Sequence, residues 1–301
     1  MNEFILEDRI TKIQAINRQH DILNNGYISF SGGKDSTVLH HLIDMALPNN
    51  NIPRVFFNTG IEYNHIHTYI HTLAQTDKRI IIYNSGVKIH QMLEKEGYPF
   101  KSKEHAHFVM VYQHTYKLNK STVWYIDHNN NKMIHCPYDL LYQFTPENKL
   151  KISDKCCYKL KKDTAHRFEK EYNKSIAITG MRKGEGGQRQ SVKGCVITNK
   201  DNKIIKFHPL LVIDEEWENW FIDKYNIKLC DLYYPPYNFK RTGCKGCPFS
   251  LNLQRDLDVM KKLLPNEYKQ CEIIWKPVYD EYRRIGFRLT NYEQLQFDME
   301  K

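Results

Sequence analysis

The run Ser31-Gly32-Gly33-Lys34-Asp35-Ser36 lies between a short apolar strand, Tyr27–Phe30, and the helix-like Thr37-Val38-Leu39-His40-His41-Leu42. Its residue types suit anion chemistry. Two glycines let the main chain turn tightly with its N–H groups pointing inward. The start of the following helix adds its own N–H groups and dipole. Lys34 supplies a point charge for a phosphate, Ser31 and Ser36 supply hydroxyls, and Asp35 is a candidate to hold Mg²⁺ or to orient Lys34. A Walker A loop is excluded. Lys34 is followed by Asp35 rather than Ser or Thr, and no glycine stands five residues before Gly33.

A second chemistry is written in cysteine. Cys156 and Cys157 are adjacent, and Cys244-Lys245-Gly246-Cys247 brings two more thiols onto one turn. Four thiolates suit a 4Fe-4S cluster or a tetrahedral Zn²⁺. Adjacent ligands are easier to place on a cluster than in a compact zinc knuckle, which usually takes two spaced pairs. The C-x-x-C alone also fits a redox pair. Cys136, Cys195, Cys230 and Cys271 stand alone and read as small buried hydrophobes. A third candidate is the basic loop Thr179-Gly180-Met181-Arg182 to Arg189, which follows an apolar strand. Arg182 and Arg189 can each fork two donors onto phosphate or sulfate oxygens.

The elements that must position these loops alternate. Arg54–Phe57, Arg79–Tyr83 and Ser175–Thr179 read as buried strands. Thr37–Ala46, Asn64–Gln75, Val87–Glu96, Leu160–Tyr172 and Asp214–Asp223 read as helices. Continuous apolar strands separated by helices predict a doubly wound, mostly parallel α/β sheet. Ligands then sit beyond the C-terminal strand ends, where Ser31–Ser36 and Asn58-Thr59-Gly60 both fall. Residues 101–150 break the rhythm. There Ser121–Asp127 and Lys132–Cys136, flanking His128–Asn131, predict a β-hairpin insertion. Its histidines and aromatics (His105, His107, Tyr112, His114, Tyr116) read as exposed, a candidate lid or partner surface. The expected organisation is a nucleotide-binding domain over 1–250 and a helical extension packed on it over 251–301.

The chain of 301 residues has 41% apolar and 26% charged side chains, as a soluble globular protein does. The net charge of +9 suits anionic partners, nucleotide or nucleic acid. Early acids and no apolar core near Met1 predict no signal peptide. With no apolar run of membrane-spanning length, a cytoplasmic location and no membrane partner are expected. Eight cysteines in such a setting point to metal, cluster or thiol chemistry rather than a disulfide framework.

Taken in order, the motifs resemble the PAPS (phosphoadenosine phosphosulfate) reductase-like family of PP-loop ATP pyrophosphatases. The matching stretches are Ser31–Ser36, Asn58-Thr59-Gly60, Cys156-Cys157 with Lys159 and Lys161, Thr179-Gly180-x-Arg182 to Arg189, Phe207-His208-Pro209-Leu210, and Arg241-Thr242-Gly243-Cys244-x-x-Cys247-Pro248. They span about residues 20–250. The resemblance implies an adenine nucleotide α-hydrolase-like fold with the nucleotide (ATP or APS/PAPS) held by Ser31, Gly32, Gly33, Lys34, Asp35, Ser36, Asn58, Thr59, Gly60, Gly180 and Arg182. It implies catalytic roles for Lys34, Asp35, Arg182 and Arg189. The four paired cysteines look like the 4Fe-4S ligands of bacterial sulfonucleotide reductases.

Two departures matter. Asn58 stands where the family usually has Asp, and the reductases' tail cysteine has no counterpart in 291–301. The expected activity is therefore activation of an acceptor by adenylylation with pyrophosphate release, or sulfur transfer, onto a nucleic acid or small molecule. The alternatives are a sulfonucleotide reductase with a nucleophile from elsewhere, and a non-catalytic nucleotide-binding subunit of a nucleic-acid modification assembly.

Overall fold

A computed structural model describes residues 1–129, 135–185 and 191–290. The chain divides into two compact units. The first comprises Met1–Ser85 with Asp163–Gly243, the second Gly86–Lys162 with Cys244–Lys301. In chain order the helices are α1 (Asn2–His20), α2 (Ile22–Asn25), α3 (Lys34–Ala46), α4 (Asn64–Thr76), α5 (Ile89–Glu96), α6 (Lys103–Thr115), α7 (Lys120–Ile126), α8 (Lys155–Cys157), α9 (Asp163–Glu171), α10 (Glu215–Lys224), α11 (Leu253–Leu263), α12 (Pro265–Ile274) and α13 (Lys276–Arg284). The strands are β1 (Gly26–Ser29), β2 (Arg54–Asn58), β3 (Ile80–Asn84), β4 (Ile176–Ile178), β5 (Val196–Thr198) and β6 (Ile204–Phe207).

The first unit carries a six-stranded sheet in the order β3-β2-β1-β4-β6-β5. All pairs are parallel except β5 with β6, so the expected α/β sheet is present. The strands are short and apolar because helices cover them. Tyr27, Val55, Ala177 and Phe168 of α9 form one buried cluster, with Phe57, Ile81 and Tyr83 against it. The Tyr27 hydroxyl donates to Glu169 Oε1 at 2.8 Å, which satisfies the one polar atom this ring carries inward. From β1 the chain runs outward to β2 and β3, and β4 then returns to the other side of β1. The C-terminal ends of β1 and β4 therefore flank a topological switch point, where ligands bind in open α/β sheets.

The second unit corrects the expected hairpin. Lys120–Ile126 is helix α7, not a strand, and residues 132–134 of the expected partner strand, with 130 and 131 of the turn, lie outside the described residues. The β-branched and aromatic residues Thr122, Val123, Trp124 and Tyr125 favour strand, but a capping box overrides them. Asn119 Oδ1 accepts from Ser121 N at 3.0 Å and Thr122 N at 2.9 Å, and Thr122 Oγ1 accepts from Asn119 N at 2.8 Å. Tyr125 then buries one turn on from Thr122, where it meets His105 Nδ1 at 3.1 Å. His105 and Tyr112 are buried rather than exposed. Gln143 Oε1 lies 2.7 Å from His105 Nε2, and burial lowers the His105 pKa to about 4. Among the described residues no helix is long and apolar enough to cross a membrane.

Candidate functional site

In the first unit, β1 delivers Ser31–Ser36 to the N-terminus of α3. Gly32 has φ +71°, and an added Cβ there would meet Ile70 and Ile66 of α4 at 3.1–3.3 Å. The turn thus needs glycine for both conformation and space. Inside it the serines hold the loop closed. Ser31 N donates to Ser36 Oγ at 3.2 Å, Gly33 N to Ser31 Oγ at 3.3 Å, and Ser36 Oγ to Gly33 O at 2.9 Å. Lys34 N donates to the Tyr233 hydroxyl at 2.9 Å, which lies 2.8 Å from Thr242 Oγ1. Three loop amides therefore point at hydroxyl oxygens, the kind of partner a phosphate oxygen replaces directly.

The basic loop after β4 packs on this turn. A Cβ on Gly180 would lie 2.7 Å from Asp35 O and 2.9 Å from Asp35 C, so the two loops touch main chain to main chain. Arg182, 9% exposed, donates from Nε to Asp35 Oδ1 at 2.5 Å. Asp35 thus faces Arg182 rather than Lys34. The Lys34 ammonium turns to α10, with Glu215 Oε1 and Glu218 Oε2 each at 3.3 Å and Asn219 Oδ1 at 3.4 Å. Glu218 Oε2 also lies 3.3 Å from Arg182 Nη2. Glu218 is fully buried, and burial followed by the Asp35 charge pushes its carboxyl up to about 8 against the pull of Arg182 and Lys34. Arg189 lies outside the described residues.

Asn58-Thr59-Gly60 ends β2 at the same edge of the sheet, next to β1. Asn58 Nδ2 donates to Asn84 Oδ1 at 2.8 Å, and Asn58 Oδ1 accepts from Gly60 N at 3.0 Å. The buried Glu62 fixes the turn. Its carboxylate accepts from Thr59 Oγ1 at 2.6 Å and from the Thr59 and Gly60 N–H groups, each at 3.1 Å. Further along the same edge, Thr179 Oγ1 lies 2.7 Å from His208 Nδ1, and burial lowers the His208 pKa to about 4. Glu62, Glu218, Tyr233 and Thr242 were not singled out from the sequence. A helical carboxylate such as Glu218 reads as a solvated face, and only the tertiary fold shows that it and Glu62, in the bend before α4, are buried. Thr242, in Arg-Thr-Gly-Cys, was the one of the four lying inside a recognised stretch.

The second unit gathers all four candidate thiols. Cys156 and Cys157 sit on α8, and Cys244–Cys247 form a turn with Gly246 at φ +59°. That turn is seated on α12 and α13. Trp275 Nε1 donates to Lys245 O at 3.1 Å, Tyr279 to Gly246 O, and Tyr282 to Pro248 O at 3.0 Å. A Cβ on Gly246 would lie 2.7 Å from Cys271 Sγ, so Cys271 packs directly beneath the turn. Burial, then the neighbouring Cys244, Cys157 and Cys247, raises the Cys156 pKa. Cys247 is pushed up to about 12 by burial and by Cys244 and Cys157. The thiols are thus electrostatic neighbours, and an all-thiol donor set of this kind fits a soft metal centre. Among the described residues no group of three or more His, Cys, Asp or Glu side chains converges to metal-holding geometry. Of the lone cysteines, Cys136, Cys230 and Cys271 are buried as expected, and Cys195 is half-buried.

A family model described as the phosphoadenosine phosphosulfate reductase domain matches residues 25–135 and 103–250. No curated protein matches the chain. Solved structures similar to it include phosphoadenylyl-sulfate reductase from Candida auris, at 16% identity and TM-score 0.45, over 77% of this chain and 88% of that one. Another is the FMN adenylyltransferase of Candida glabrata, at 14% identity and TM-score 0.47, over 80% and 62%. A third is the U34-tRNA thiolase of Methanococcus maripaludis with its 4Fe-4S cluster, at 14% identity and TM-score 0.38, over 95% and 80%.

Proposed function

Because the chain belongs to the phosphoadenosine phosphosulfate reductase domain family, we propose that its first unit binds an adenine nucleotide at Ser31–Ser36 and activates an acceptor by adenylylation, releasing pyrophosphate. The observation that carries this reading is the meeting of Lys34, Asp35, Arg182 and Glu218 where the β1 and β4 loops touch. The loop amides and the α3 dipole receive phosphate oxygens. Lys34 and Arg182 stand close enough together to share the charge that gathers on the departing pyrophosphate. Asn58–Gly60, held by Glu62 on the neighbouring strand, is the candidate contact for the nucleoside end. Arg189 is a further candidate cation, and Mg²⁺ a candidate companion of the phosphates.

Cys156, Cys157, Cys244 and Cys247 would hold a 4Fe-4S cluster, with Zn²⁺ as the alternative. A cluster there would supply electrons or sulfur to an onward transfer. The net charge of +9 suits an anionic acceptor such as a nucleic acid. The 101–150 insertion is the candidate surface for a partner protein.

The test is pyrophosphate release from ATP with candidate acceptors, using anaerobically purified protein. Release by wild type that is lost in Lys34→Ala supports the reading. Sulfite release from APS or PAPS with a thiol reductant, and none of pyrophosphate, moves the assignment to a sulfonucleotide reductase. Tight nucleotide binding without any product moves it to a non-catalytic binding subunit.

A further inference from the structure

Four charged groups crowd the base of the phosphate loop, and one of them, Glu218, is a fully buried carboxyl between two cations. Glu218 is 0% exposed, and neither of its carboxyl oxygens accepts a hydrogen bond of ordinary geometry. Burying such a group is costly unless cations compensate it. Here one oxygen, Oε2, is shared by Lys34 Nζ and Arg182 Nη2, each at 3.3 Å. Helix α10 adds Glu215 Oε1 and Asn219 Oδ1 around the same ammonium. The protein thus offers its phosphate-directed cations an anion of its own.

We propose that Glu218 is the internal competitor for Lys34 and Arg182, a positioning residue that sets how tightly a polyphosphate is held and how readily pyrophosphate leaves. The inference rests on the reading of the loop as a nucleotide site. A diphosphate entering the loop must draw on the two cations that Glu218 holds. With Glu218 ionised, the four groups sum to zero charge. With Glu218 neutral, they carry one net positive charge toward the ligand.

The groups facing Glu218 are Lys34 and Asp35 from α3, Arg182 from the loop after β4 and Glu215 from its own helix. The Tyr233 hydroxyl accepts from Lys34 N at 2.9 Å and lies within the field of Asp35. Burial and Asp35 raise the Glu218 carboxyl to about 8, so competition is strongest above that pH and fades below it.

The experiment is calorimetric titration of inorganic pyrophosphate and of ATP into wild type, Glu218→Gln and Glu215→Gln, at pH 6.5 and pH 9. At pH 9, Glu218→Gln is expected to bind pyrophosphate on the order of tenfold tighter, as removal of one buried charge beside two cations allows. Its turnover falls as product leaves more slowly. At pH 6.5 the two proteins converge. Glu215→Gln removes an exposed charge from the same ammonium, and shifts affinity the same way by about two- to threefold because water screens it. It carries the test if Glu218→Gln does not fold. A merely structural role for Glu218 gives weaker binding at both pH values, and that result, or unchanged affinity in both variants, overturns the proposal. Wild type that binds neither ligand overturns the reading of the loop itself.

Discussion

Gly180→Ala is the sharpest probe of how the two loops meet. An alanine Cβ at this position would lie 2.7 Å from Asp35 O, 2.9 Å from Asp35 C and 3.2 Å from Ser36 N. All three atoms are main chain in the first turn of α3, so no side chain can swing aside. An ordinary carbon–oxygen contact is longer by about half an ångström, and either the turn or the end of β4 must move by that much. Overpacking of this kind costs about 1–3 kcal/mol. For a domain of 150–250 residues a loss of about 2 kcal/mol lowers Tm by roughly 4–8 °C.

The functional cost is expected to be larger. Asp35 and Lys34 ride on the displaced turn, and a misplacement approaching 1 Å costs on the order of a hundredfold in rate. Thermal denaturation, ATP calorimetry and pyrophosphate release read the three effects. Gly184→Ala is the control, because a Cβ there meets nothing within 4 Å. It should change stability by less than about 0.5 kcal/mol. Wild-type Tm and ATP affinity in Gly180→Ala would refute the close approach and with it the joint site.

Glu62→Leu strands the Thr59 hydroxyl and the Thr59 N–H, and leaves the Gly60 N–H to Asn58 Oδ1 alone. It should cost about 2–4 kcal/mol in urea unfolding and weaken nucleotide binding. His208 is held neutral by burial, with its pKa lowered to about 4. The unfolded chain then binds the extra proton between pH 6.5 and 4, so its contribution is intact above pH 6.5 and is lost as pH falls toward 4. That loss is at most about 3 kcal/mol, and His208→Gln should flatten this part of the stability–pH curve. Cys247→Ser should abolish iron and sulfide in anaerobically purified protein, whereas equal metal content in variant and wild type counts against the cysteine set.

The strand–loop–helix at Ser31–Ser36 was legible because its signals are local: an apolar run, paired glycines and a helical period within sixteen residues. The parallel sheet followed from the same alternation. Residues 121–127 misled because side-chain propensity pointed one way and a cap two residues upstream pointed the other, and the cap won. Glu218 was illegible for a different reason. Whether a carboxylate faces water or a guanidinium depends on elements far apart in the chain, and one sequence does not show which. Arg182 was legible as a cation at a strand end, but its partner was not. Its bond to Asp35 spans 147 positions.

That separation also governs how the protein is made. Strand β1 pairs with β4, Gly26 against Ile176, so about 150 residues must leave the ribosome before the central strand gains its second neighbour. At about 5–20 residues per second that wait is roughly 8–30 s. Throughout it, the apolar segment Tyr27-Ile28 offers an unsatisfied edge to any other nascent chain. Biosynthetic yield, more than equilibrium stability, should therefore respond to slower translation over 30–176 and to chaperones that shield a single strand.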